Sequence, residues 1–123
     1  MLKKFSAIFL LLSVANSVFA GSYEEALKKS NNVFLYLYTK DCKTCKVFDS
    51  TFNSIQKQNK DYAFVKIDAE STYGSNLMHK FRGRYVPYVV LSDKKNNKSV
   101  NVYHSCVMDE ICLIRAMKSF KGM

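Results

Sequence analysis

Two cysteines separated by two residues stand where a predicted strand gives way to a predicted helix, and this junction strongly constrains the fold. The run from Val33 to Tyr38 is apolar and aromatic, which is typical of a buried strand. After the pair, apolar side chains recur at helical spacing at Cys45, Phe48, Phe52 and Ile55. Cys42 is therefore predicted in the first turn of a helix, where unpaired N–H groups and the helix dipole favour a thiolate. Cys45, one turn deeper, can close a disulfide with it, so the junction predicts redox chemistry.

Two other roles for Cys42 and Cys45 are less well supported by the sequence. As a permanent structural bridge, the pair would close so short a loop that it would restrict the unfolded chain little. As metal ligands, the pair would need partners such as His104 and Cys106, which are distant in sequence and expected on the far side of the sheet. Lys43, next to Cys42, is expected to stabilise the thiolate. We therefore predict a catalytic redox pair, with no metal and no other cofactor.

The amino-terminal residues 1–20 have the pattern of a secretory signal peptide. Two lysines open the segment, residues 5–12 are apolar, and residues 18–20 place small side chains at the −3 and −1 positions of a cleavage site. A retained membrane anchor is the alternative, but the apolar run is too short to span a bilayer comfortably. We expect cleavage, a mature domain of residues 21–123, and no stable membrane insertion afterwards.

All four cysteines lie in the expected mature chain, which indicates disulfide chemistry in an oxidising compartment. That part of the chain carries 17 basic and 10 acidic residues. The lysines are scattered among asparagines and acids, so a nucleic-acid groove is not predicted. A solvated basic surface that attracts acidic partners is the better interpretation.

The order of predicted elements is α-β-α-β-α-β-β-α, which favours one α/β domain. Turn signals such as Asn31-Asn32, Gly83 and the polar stretch 93–98 separate the elements. Helices are predicted at about residues 22–29, from Cys42 to about Gln58, and at about 71–81, with a last helix that begins at Asp109. Strands are predicted at about residues 33–38, 62–67, 88–91 and 99–104.

Two segments resemble the thioredoxin superfamily. Residues 36–48, with the cysteine pair followed by a lysine and an aromatic residue, are similar to the periplasmic branch, such as the C-terminal domain of the disulfide reductase DsbD. Residues 81–87 resemble the segment that ends in the cis-proline of the superfamily. The resemblance implies a thioredoxin-like fold, with a four-stranded mixed sheet in the order β2-β1-β3-β4 flanked by helices. It also implies that Cys42 attacks and Cys45 resolves, and that Val86 and Pro87, joined by a cis bond, bind the substrate strand.

The chain departs from general thioredoxins at several positions, which favours a narrower role. Asp41 stands where many thioredoxins have tryptophan, Tyr36 stands at the place of a buried acid, and Tyr88 follows the proline where threonine is usual. We expect a monomeric periplasmic thiol–disulfide oxidoreductase that reduces or exchanges disulfides in envelope proteins, with a membrane thiol reductase as electron donor. Secretion is the alternative location. The alternative is a thioredoxin-fold chaperone or assembly module with one specific partner.

The second cysteine pair, Cys106 and Cys112, has more than one interpretation. Cys106 is predicted at the end of the fourth strand, and Cys112 in the first turn of the last helix. A structural disulfide that ties the loop to the helix is the main prediction. A second redox pair that passes electrons to the first, and two unpaired thiols, stay open.

Overall fold

The protein is described by a computed structural model over residues 22–122. The predicted signal peptide of residues 1–20 lies outside the described residues. The elements follow along the chain as α1 (Tyr23–Lys29), β1 (Asn32–Tyr38), α2 (Lys43–Gln58), β2 (Tyr62–Asp68), α3 (Thr72–Lys80), β3 (Tyr88–Asp93), β4 (Lys98–Val102), α4 (His104–Val107) and α5 (Glu110–Lys121). In the part of the chain that the structure describes, no helix has the length and apolar character needed to cross a membrane.

The four strands form one mixed sheet in the order β2-β1-β3-β4, which confirms the predicted topology. β1 pairs in parallel with β2 and antiparallel with β3, and β3 pairs antiparallel with β4. Leu37 of β1 is paired with Tyr88 of β3. The start of β3 therefore lies beside the end of β1, just before the chain enters α2.

β1 is buried on both faces because the sheet is covered by helices on both sides. Phe34 and Tyr36 point into one core, together with the buried faces of α2 and α5. Val33, Leu35 and Leu37 point into the other core, together with α1 and α3. Successive side chains of a strand alternate between faces, so a continuous apolar run is what a doubly covered strand requires.

α2 packs against β1 through the residues that the helical spacing predicted. Cys45, Phe48, Phe52 and Ile55 are all buried. The rings of Phe48 and Phe52 lie 4.9 Å and 5.0 Å from the Tyr36 ring, centroid to centroid. This packing fixes the first turn of α2 against the end of β1, so the position of the cysteine pair is set by the core.

The predicted end of the fourth strand is wrong. β4 ends at Val102, and the chain forms the short helix α4, which the sequence did not predict and which contains Cys106. If the strand pairing continued past Val102, His104 would face Pro87, which has no N–H group to donate to the ladder. The carbonyl of Tyr103 instead accepts the N–H groups of the next turn, which satisfies the backbone locally.

A candidate redox active site

Three connecting segments meet at the same end of the sheet. The turn after β1 carries Cys42, the segment before β3 carries Val86, and the segment after β4 carries Cys106. All three side chains are partly buried and pack against the same core cluster. The antiparallel pairing of β3 with both β1 and β4 brings these segments together, although they are far apart in sequence.

Cys42 and Cys45 are joined by a disulfide, with their Cα atoms 5.2 Å apart. Cys42 is the N-cap of α2, and its Sγ accepts the backbone N–H of Cys45 at 3.0 Å. A sulfur in this position receives the hydrogen bonds and the dipole that favour a thiolate when the bridge opens. Cys42 is half-buried, whereas Cys45 is only 2% exposed. An external disulfide can therefore approach Cys42 more easily than Cys45.

The lysines beside the pair have different surroundings. Lys43 is exposed and is the first residue of α2, so its role in stabilising the thiolate stays a prediction. The Lys46 Nζ donates to the carbonyl oxygen of Lys40, in the turn before Cys42, at 3.2 Å. The first turn of α2 contains no acidic residue that would oppose a thiolate. The helix terminus therefore contributes positive potential at Cys42 that no acidic residue in the first turn opposes.

The segment before β3 forms the second wall of the site. The Val86–Pro87 peptide bond is cis, Pro87 is buried and Val86 is half-buried. Tyr88, one of the departures seen in the sequence, donates its hydroxyl to the carbonyl of Phe81 at 2.6 Å. This hydrogen bond ties the beginning of β3 to the end of α3. Tyr88 therefore has a role inside the fold, whatever its effect on a substrate.

Sequence reasoning missed a polar cluster under the cysteine helix. The Tyr36 hydroxyl lies 2.8 Å from Asp49 Oδ1 and 3.1 Å from the carbonyl oxygen of Cys45. Lys66 of β2 pairs with Asp49, with its Nζ 3.3 Å from Oδ1. Burial, and then the hydrogen bond to Asp49, raise the pKa of Tyr36 far above its ordinary 10.0. The sequence did contain one signal for Asp49: it is four positions after Cys45, and residues four positions apart lie on the same face of a helix.

Cys106 and Cys112 are also joined by a disulfide, which links α4 to the first turn of α5. Between them, the Asp109 carboxylate accepts the N–H groups of Ile111 and Cys112, at 3.1 Å and 3.2 Å. The bridge and the N-cap both fix the beginning of α5. Among residues 22–122, no group of three or more His, Cys, Asp or Glu side chains could hold a metal ion.

Comparisons with known proteins agree with this geometry. A family model described as thioredoxin-like matches residues 15–94, which include both Cys42 and Pro87. A point-mutant thioredoxin of Halobacterium salinarum is similar in structure, with a TM-score of 0.68 and 23% identity over 83% of this chain and 87% of that one. Mitochondrial thioredoxin 3 of Saccharomyces cerevisiae in its oxidized form has a TM-score of 0.66 and 15% identity, over 79% and 86% of the two chains.

Deadhead, a germline-specific thioredoxin of Drosophila melanogaster, has a TM-score of 0.66 and 21% identity, over 85% of this chain and 97% of that one. At these identities the three structures establish the fold. A comparison with curated proteins found no match.

Proposed function

The chain belongs to the thioredoxin-like family, and from that premise we propose that it is an exported thiol–disulfide oxidoreductase with Cys42 and Cys45 as its redox pair. One observation carries the proposal: the accessible sulfur caps the cysteine helix and its partner is buried behind it. Thioredoxin-fold proteins with two cysteines in this arrangement generally exchange disulfides. A partly exposed sulfur at a helix N-terminus is typical of a bridge that opens and closes.

The proposed reaction has two exchange steps. The Cys42 thiolate attacks a substrate disulfide, the substrate S–S bond breaks, and the sulfur that leaves takes a proton from water. Cys45, as a thiolate, then attacks the Cys42 sulfur and releases the second substrate sulfur as a thiol. The substrate has gained two electrons, and the enzyme is left with the 42–45 disulfide. Val86 and Pro87 are proposed to hold the substrate strand against Cys42.

The proposed direction is reduction, in the periplasm, of disulfides in envelope proteins. It is supported by the resemblance of residues 36–48 to a reductase domain and by the signal-peptide pattern of residues 1–20. A membrane thiol reductase is the proposed electron donor, because the oxidised pair must be reduced again in an oxidising compartment. The reduction potential tests the direction. A value near that of thioredoxin, about −270 mV, supports a reductase, and one near that of a strong oxidant, about −120 mV, contradicts it.

Catalysis itself is tested with cysteine variants and a peptide that contains one disulfide. We expect the reduced mature protein to reduce the peptide rapidly, and Cys42→Ala to be inactive because it lacks the nucleophile. The matched control is the double variant Cys106→Ala/Cys112→Ala, which removes the other bridge and should stay active. A wild-type protein that reduces the peptide no faster than a small dithiol would contradict the proposal.

The alternative is a thioredoxin-fold chaperone or assembly module. Its support is the set of departures at Tyr36, Asp41 and Tyr88, although the hydroxyl groups of both tyrosines also make hydrogen bonds inside the fold. A strain that lacks the gene separates the two functions. If Cys42→Ala/Cys45→Ala restores the wild-type phenotype in full, the protein acts as a binding module.

The proposed export is tested by sequencing the amino terminus of the protein recovered from the periplasm. The mature chain is expected to begin at Gly21. A chain that retains residues 1–20 in the cytoplasm would contradict the proposed location.

A further inference from the structure

A basic loop, residues 79–84, connects the end of α3 to the segment that contains the cis-proline. It carries a histidine, a lysine and two arginines, and residues 71–92 contain no acidic residue. Of the 19 lysines and arginines in the chain, only three are arginines, and two of these, Arg82 and Arg84, flank Gly83 in this loop. The local charge is therefore strongly positive and is supplied mainly by guanidinium groups.

The backbone of the basic loop is fixed by the way in which α3 ends. The N–H of Gly83 donates to the carbonyl oxygen of Met78 at 2.7 Å, and the N–H of Arg82 donates to that of His79 at 3.2 Å. These two hydrogen bonds form the Schellman motif that ends many helices. A Cβ on Gly83 would lie 2.7 Å from the Met78 sulfur, so the loop also packs closely on α3. The side chains on either side of Gly83 therefore project from a fixed backbone.

Arg82 occupies the position of this motif that usually belongs to glycine. Its φ is 58°, in the left-handed region that a Cβ disfavours. The neighbouring Gly83 does not have a positive φ, so the glycine of the loop is not used for this conformation. A side chain kept in a disfavoured backbone conformation indicates a function for that side chain. At Arg82, that side chain is a guanidinium group.

An open pocket of about 480 Å³ lies between the two arginines and the last turn of α3. It is lined by Met78, His79, Arg82, Gly83 and Arg84. Both arginines are exposed, and within the described part of the chain neither forms an ion pair with an acidic side chain. A planar guanidinium group binds a carboxylate through two parallel hydrogen bonds. The pocket therefore has the chemistry to bind a carboxylate from another molecule.

The basic loop leads directly into the wall of the candidate active site. Arg84 is two residues before Val86 and Arg82 is four, so their Cα atoms lie within about 7 Å and 14 Å of the Val86 Cα. A substrate strand held at Val86 and Pro87 advances by about 3.3 Å per residue. An acidic side chain two to four residues from the attacked cysteine can therefore reach the pocket.

Resting on the proposed function, we propose that Arg82 and Arg84 bind carboxylate side chains of the substrate protein, two to four residues from the disulfide that Cys42 attacks. The preferred substrates are then disulfides with acidic neighbours in the sequence. The two arginines bind and orient the substrate, and no covalent bond changes at the pocket. An anionic lipid surface is less suited to this site, because the pocket is concave and lies beside the segment proposed to hold the substrate strand.

The test compares two peptides that contain the same disulfide. One has glutamate two and four residues from a cysteine, and the other has glutamine at both positions. Each rate of reduction by the protein is divided by the rate with a small neutral dithiol, which corrects for the intrinsic reactivity of the peptide. We expect the glutamate peptide to be preferred about tenfold in about 0.01 M salt, because each exposed ion pair contributes up to about fivefold. The preference should largely disappear in 1 M salt, where charges are screened beyond about 3 Å.

Variants of the two arginines connect this preference to the pocket. Arg82→Gly and Arg84→Gln should each lower the preference about threefold, and the double variant should have almost none. Arg82→Gly should unfold at no lower temperature than the wild-type protein, because glycine adopts the left-handed conformation readily. Loss of the preference in a protein of undiminished stability is a result that a purely structural role of Arg82 would not give.

Lys57→Gln/Lys60→Gln is the matched control, because it removes two exposed positive charges near the end of α2 that is far from Cys42. The proposal is overturned if the wild-type protein has no preference, if Arg82→Gly/Arg84→Gln keeps it, or if the lysine control loses it equally. Binding to phosphatidylglycerol vesicles that requires both arginines, without a preference between the peptides, would also overturn it and assign the pocket to lipid. Failure to reduce either peptide would contradict the proposed function instead.

Discussion

Replacing Cys106 and Cys112 together by alanine should destabilise the fold without removing the activity. The bridge connects α4 to the first turn of α5, and the two cysteines are six positions apart in the chain. Cross-linking residues this close removes loop-closure entropy from the unfolded chain that is equivalent to about 2 kcal/mol at room temperature. For a domain of this size, such a loss lowers the melting temperature by about 10 °C.

The loss of stability in the double variant should not exceed this level by much, because other contacts hold the beginning of α5. Asp109 still caps the helix, and Leu113, Met117 and Phe120 remain buried in the core. Removing the two half-buried sulfurs should add about 1 kcal/mol at most to the destabilisation, because less apolar area is buried. The double variant is therefore expected to fold at room temperature, with α5 in place.

The assay combines denaturant unfolding followed by circular dichroism with peptide-disulfide reduction at a temperature where the variant is folded. We expect a lower unfolding midpoint, an unchanged denaturant slope and a retained rate of reduction. Differential alkylation of the wild-type protein should show that mild reductant opens 42–45 before 106–112. Loss of activity at unchanged stability would refute this reasoning, because it would make Cys106 and Cys112 a second redox pair.

Other parts of the fold give further predictions. Asp109→Ala should destabilise the protein by about 1 kcal/mol, measured by urea unfolding, because it removes the N-cap of α5; no change would contradict this role. Gly74→Ala should unfold at a clearly lower temperature, because an added Cβ would overlap the backbone of the β2–α3 turn. An unchanged melting temperature would contradict this close contact. Hydrogen bonds from Asn96 and Asn31 hold the pKa of Asp93 below its ordinary 3.8. The stabilisation from these hydrogen bonds is fully present above the unfolded-state pKa of 3.8, and it is lost as the pH falls through the lower pKa of the folded protein. Asp93→Asn should therefore weaken the acid dependence of unfolding, and an identical profile would contradict this role.

The fold could be predicted because its signals are local and agree with one another. One strand–turn–helix unit is indicated by three neighbouring features. They are the apolar run of β1, the cysteine pair that follows it, and the helical spacing of Phe48, Phe52 and Ile55. The sheet order followed from the resemblance to a known family. The end of β4 could not be predicted, because it depends on Pro87, which only the strand register brings beside this part of the chain.

The candidate site could be predicted in part, for a similar reason. Cys42 and Cys45 are close in sequence, so their spacing alone brings them together. Asp49 and Lys66 meet only because β2 lies beside β1, where Tyr36 is paired with Lys66. Contacts of this kind depend on strand register, which the sequence of a single chain does not display.

Capture of the reaction intermediate tests the central claim most directly. In Cys45→Ser the resolving sulfur is absent, so a disulfide substrate should remain attached to the protein as a mixed disulfide. Mass spectrometry of the peptides is expected to locate the substrate on Cys42, with the 106–112 bridge intact. The absence of any adduct, or an adduct on Cys106 or Cys112 while Cys42 stays unmodified, would contradict the account.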